Sequence, residues 1–129
     1  MKTKLTAREC EIVRNVHRIL HTDFPDSFAV EDGYAFCWLI AQRASNCDSR
    51  FLYHEGYLLK LNEKMPHAWN SLNGKIVDFA APCSIDRQPM MSKYYEVLHT
   101  FTTMEVFDAM LERGEWNWMS KFPEHQEKT

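Results

Sequence analysis

Between residues 6 and 21 apolar side chains return every three or four positions, at Ile12, Val13, Val16, Ile19 and Leu20. That period is a helix with one buried stripe, so the spacing predicts a helix over 6–21. Thr6, with Glu9 three residues on, can cap its start as a capping box. The segment 22–33, TDFPDSFAVEDG, carries Pro25 and Gly33 as punctuation and reads as a loop. The stretch YAFCWLIAQRASN is apolar around most of its circumference. It predicts a centrally buried helix over 34–45, with Asp32 as its cap.

Past residue 50 the period changes to two. In FLYHEGYLLK, residues 51–60, Phe51, Tyr53, Glu55, Tyr57 and Leu59 alternate with Leu52, His54, Gly56, Leu58 and Lys60. The alternation predicts a strand. Gly56 marks a place where another backbone or a ligand comes close. HAWNSLNGKIVDFA, residues 67–80, is centred on Asn73-Gly74, the preferred two-residue hairpin turn. That turn sets a register in which Leu72 faces Lys75, Ser71 faces Ile76, Trp69 faces Asp78 and His67 faces Ala80. Opposed residues point to the same side of a sheet. His67 and Asp78 therefore become diagonal neighbours, within reach of an imidazole–carboxylate hydrogen bond. A one-residue slip would separate them.

The C-terminal third predicts a strand over Tyr94–Phe101 and a helix over 103–113. Thr102 and Glu105 form its capping box and Gly114 ends it. Met104, Phe107, Met110 and Leu111 make an apolar stripe that is assigned to the core. Trp116 and Trp118, in a short aromatic segment, are expected to pack against the sheet. The expected layout is one domain over residues 1–121 and a polar, mobile tail over 122–129.

Composition narrows the partners. Of 129 residues, 45% are hydrophobic and 13% aromatic, which is a globular chain with room for one core. A net charge of −3 gives no electrostatic footprint for nucleic acid or an acidic membrane. No apolar run is long enough to span a bilayer, and the first ten residues lack a signal-peptide core. A cytoplasmic location is the expectation. In that compartment Cys10, Cys37, Cys47 and Cys83 stay reduced, and no C-x-x-C pair occurs.

Cys37 stands apart from the other three thiols. It falls in the first turn of the buried helix, where the positive end of the helix dipole lowers a thiol's pKa and favours thiolate. A carboxylate on one nitrogen of an imidazole fixes its tautomer and raises its basicity. Cys37 with His67 and Asp78 would then make a thiolate–imidazolium pair with an orienting acid. The alternative is a hairpin whose His–Asp pair satisfies two polar groups. Trp38, Glu55 and Trp69 are the candidate substrate contacts, although a Glu such as Glu55 is more often held by a tyrosine in a structural role. Cys10, His17 and His21 lie together beside the first helix's stripe. A metal there has no further ligand placed with it, so no metal is expected.

The series FCWLIAQRA, YHEGY, HAWNSLNGKIVDFA and YYEV resembles the transglutaminase-like branch of the papain-like cysteine fold. It is most similar to a group of small phage and bacterial proteins. The likeness covers about residues 34 to 113. It implies an α+β fold with N-terminal helices packed on a small antiparallel sheet. It also implies Cys37 as nucleophile, His67 as general base and acid, and Asp78 as the residue that orients His67. No glutamine upstream of Cys37 matches the oxyanion donor of papain-like proteases, which argues against proteolysis. The implied activity is cysteine-dependent acyl transfer at an amide, isopeptide or thioester carbonyl, with no cofactor. The substrate would be a protein or peptide-like molecule. A non-catalytic interaction protein on the same fold, for instance a phage protein binding a host factor, is the second expectation.

Overall fold

A computed structural model of the chain describes residues 4–28, 37–60, 63–80 and 94–120. Asp32 as a helix cap, Cys83 and the 122–129 tail lie outside the described residues. Helix α1 spans Ala7–Asp23, and a 3-10 turn follows over Pro25–Phe28. Helix α2 spans Cys37–Cys47. Strands β1 (Phe51–Lys60), β2 (Glu63–Leu72), β3 (Lys75–Val77) and β4 (Tyr95–Phe101) form one antiparallel sheet in the order β3-β2-β1-β4. Helix α3 spans Thr103–Arg113. The described chain is thus α+β, with three α-helices and a four-stranded antiparallel sheet. None of its helices is long and apolar enough to cross a membrane.

Both capping boxes form. Thr6 accepts from the Glu9 N–H while Glu9 Oε1 accepts from Thr6 N, and Thr102 and Glu105 repeat the exchange at α3. Glu9 has a second task. Its carboxylate also takes Lys75 Nζ at 2.6 Å and Asn73 Nδ2 at 2.7 Å, tying α1 to the β2–β3 turn. The Lys75 hydrogen bond, the Thr6 N–H and the Asn73 amide together outweigh burial. They lower the Glu9 pKa to about 2.

The turn behaves as its sequence demands. Asn73 and Gly74 both take positive φ, 53° and 78°, the pair of values a type I′ turn needs. The ladder beyond it follows the expected register as far as Asn70 opposite Val77, with Leu72 opposite Lys75 and Ser71 opposite Ile76, and the expected pairs Trp69–Asp78 and His67–Ala80 are not part of it. Strand β3 stops there. Asp78 and Ala80 lie past the ladder, so β2 from His67 to Trp69 has no β3 partner.

Gly56 is required by close approach. The β1–β4 register shifts between Glu55 and Gly56, and a Cβ at Gly56 would lie 1.9 Å from the Glu96 carbonyl oxygen.

Two core clusters lie on the helix-bearing face of the sheet. The first joins Val13, Val16 and Leu20 of α1 and Ile40 and Ala44 of α2 to Phe51, Leu72, Val77 and Phe79. The second joins Cys37 and Ala41 to Tyr53, Ala68 and Val106, with Trp38, Trp116 and Trp118 half-buried against it. Asn70 Nδ2 reaches the Ala41 carbonyl at 2.9 Å and fastens α2 to the sheet.

The stripe assigned to the core of α3 is corrected by the structure. Met104 and Leu111 are 65% and 59% exposed, Phe107 is also exposed, and Val106 is the fully buried residue of this helix. Thr103 Oγ1 bonds the Ser45 carbonyl at the end of α2 at 2.7 Å. That contact fixes the helix's rotation, so Thr103, Val106 and Met110 turn inward. The buried face lies one residue, about 100°, from the expected one.

Candidate active site

The centre of the site is the His67 ring. Its Nε2 donates to Asp78 Oδ2 at 2.7 Å, and the Cys37 thiol is the second neighbour that acts on the ring's titration. With Nε2 committed to the carboxylate, Nδ1 is the nitrogen available to the thiol. The three sequence-predicted residues come from three elements: the first residue of α2, the middle of β2, and the turn after β3. They meet at the stretch of β2 that β3 leaves uncovered. The early end of β3 is therefore part of the site's construction.

Asp78 is held from several sides. Ala80 N–H donates to Oδ1 at 3.1 Å, a local turn in which the side chain bonds the backbone two residues on. Tyr95, from the far strand of the sheet, donates its hydroxyl to Oδ2 at 2.8 Å. Trp69 lies nearly parallel to the imidazole, with ring centroids 5.9 Å apart, and Tyr95 meets Trp69 edge-on. Burial by itself would lower the His67 pKa. The hydrogen bond and charge of Asp78, with the Cys37 thiol beside the ring, overcome burial and raise it to about 10. His67 therefore holds a proton through the neutral range, next to a thiol. The His67 side chain is 15% exposed, and Cys37 is 9% exposed.

The candidate substrate contacts fare differently. Trp38 is half-buried beside Cys37 in the second core cluster. Trp69 is fully enclosed, so it serves as a support under His67 and does not offer a surface to a substrate. Glu55 is corrected as well. It is wholly buried, and its carboxylate accepts from the Tyr53 hydroxyl at 2.5 Å, Met119 N–H at 2.6 Å and Ser120 N–H at 2.7 Å. Gln42 extends this group by donating to the Tyr53 hydroxyl and the Asn117 carbonyl. The group is a clasp that closes the segment after α3 over α2 and β1. Trp116 and Trp118 pack beneath that clasp against the core, as expected.

Two features escaped the sequence. The sequence pattern places Tyr95 on a strand and carries no signal that links it to Asp78, because β4 and β3 lie on opposite edges of the sheet. The second is His54, whose Nε2 meets Ser71 Oγ at 2.7 Å and whose Nδ1 meets Thr100 Oγ1 at 2.9 Å. Burial lowers the His54 pKa to about 4, so this ring is neutral where His67 is charged. Alternation in β1 opposite β2 places His54 and Ser71 on one face, which is the signal that was available. The His17 and His21 rings meet at a tilt, and the His21 ring stacks on Phe28. Among the described residues no group of three or more His, Cys, Asp or Glu side chains is placed to hold a metal ion.

Compared with protein-family models, with curated proteins and with solved structures, the chain matches none.

Proposed function

We propose that the chain is a cysteine-dependent acyl-transfer catalyst with Cys37 as nucleophile, His67 as acid and base, and Asp78 as the residue that orients the imidazole. One observation carries this reading. A single imidazole is bonded to a buried carboxylate and has the thiol of Cys37, the first residue of α2, as its other electrostatic partner. A protonated His67 beside the thiol supports a thiolate–imidazolium pair. The thiolate would attack an amide, isopeptide or thioester carbonyl, breaking the π bond as the C–S bond forms. His67 would pass its proton to the departing amine or thiolate. Water or an amine, deprotonated by His67, would then attack the acyl-enzyme and release Cys37. The likeness to transglutaminase-like proteins in FCWLIAQRA, YHEGY and HAWNSLNGKIVDFA points the same way.

The test is alkylation by a chloroacetamide at neutral pH, with sites and rates read by mass spectrometry. Cys37 is expected to react fast in the wild type and slowly in His67→Ala, while Cys10 and Cys47 are slow in both. Uniformly slow labelling of all thiols overturns the proposal. It would favour an interaction protein on the same scaffold, a reading that the exposed apolar side chains of α3 support.

A further inference from the structure

We infer that Tyr95 is a positioning residue that holds Asp78 in register with His67. The inference rests on the acyl-transfer reading and adds a fourth residue to it.

Asp78 sits just past the last ladder pair of β3. A carboxylate in that place has a free χ rotation unless donors restrain it. Ala80 N–H holds Oδ1, and it belongs to the same short turn, so it moves with Asp78. Tyr95 is different. It comes from β4, on the other side of β1, and pairs through Leu58 with the middle of the sheet. Its hydroxyl converges with His67 Nε2 on one oxygen, Oδ2, at 2.8 and 2.7 Å. The ring is itself clamped edge-on against Trp69, with centroids 4.9 Å apart, and Trp69 lies along the face of His67. Tyr95 is buried, as are Asp78 and Trp69. The arrangement refers the position of a turn residue to the rigid centre of the sheet. A hydroxyl is suited to this, because it restrains the carboxylate without contributing a proton that titrates near neutrality.

The test is Tyr95→Phe, which keeps the ring against Trp69 and removes only the hydroxyl. The thermal transition establishes that the variant folds. In the wild-type background the neutral-pH alkylation rate of Cys37 is expected to fall about 10-fold, the lower end of the range for a supporting residue. The His67 titration midpoint, read by NMR, should move down toward its ordinary value. In an Asp78→Asn background the same substitution is expected to change the rate less than 2-fold, because its path to His67 is already cut. A merely structural tyrosine would lower the rate equally in both backgrounds. Wild-type and Tyr95→Phe curves that superimpose, or a His67 midpoint that rises, overturn the inference while leaving the acyl-transfer reading in place. If wild-type Cys37 is slow, that reading fails. The His67 titration then still decides whether Tyr95 positions Asp78.

Discussion

Asp78 and Glu55 are both buried carboxylates that accept from a tyrosine hydroxyl and from the backbone, and the proposed function gives them opposite uses. Glu55 is bonded to a tyrosine hydroxyl and two backbone N–H groups, none of which exchanges a proton near neutrality. It clasps a chain segment. Asp78 also accepts from a tyrosine hydroxyl and a backbone N–H, but its partners include an imidazole that lies beside a thiol. Burial and hydrogen bonding do not separate the two. The partner that can carry and pass on a proton does.

That contrast can be broken most sharply at Asp78. Asp78→Asn is expected to lower the neutral-pH alkylation rate of Cys37 about 100-fold, the scale of an orienting or acid–base residue. An alkylation rate equal to wild type would put Asp78 in the same class as Glu55.

Glu55→Gln should do the reverse. The amide NH2 would face the N–H of Met119 or Ser120 and leave a buried donor without an acceptor, costing about 2 kcal/mol of stability. The pH profile of Cys37 alkylation should not move. Urea titrations and alkylation of the same samples measure both quantities.

The histidines sharpen the comparison through pH. His54 titrates at about 4 when folded and near 6.5 when unfolded, so the unfolded chain binds the extra proton between these values. Its contribution is complete above pH 6.5 and is lost as pH falls toward 4. Glu9, held at about 2, adds a second loss between 4.5 and 2. His67 has the opposite sign. Its contribution is complete below pH 6.5 and disappears as pH rises through about 10. Urea midpoints measured from acid to alkaline pH should therefore fall on both sides. His67→Gln should flatten the alkaline side alone.

The smallest effect is expected outside both clusters. Leu111→Ser, on the exposed face of α3, should change stability by no more than about 0.5 kcal/mol. A larger loss in a urea titration would return this stripe to the core.

Much of this was legible in local patterns. Both capping boxes, the ten residues of β1 and the Asn73-Gly74 turn follow from short-range rules, and the turn's register carried His67 and Asp78 to one place. The rotation of α3 was not legible. Its two apolar faces differ by one residue, and a contact from Thr103 to Ser45, 58 residues away in sequence, selects between them. Glu55 could be read as a site residue or as a structural one. Its partners Met119 and Ser120 lie 64 and 65 residues away, in a segment with no periodic signal.

The sequence by itself determined the elements and the pairing of His67 with Asp78, because hydrogen-bonding and side-chain periods act over a few residues. Only the tertiary structure decided that Cys37 lies beside that pair, that the Tyr95 hydroxyl bonds Asp78 and that Glu55 is committed to a different segment. Those relations depend on which elements pack together, and close packing of distant segments has no short-range signature in the chain.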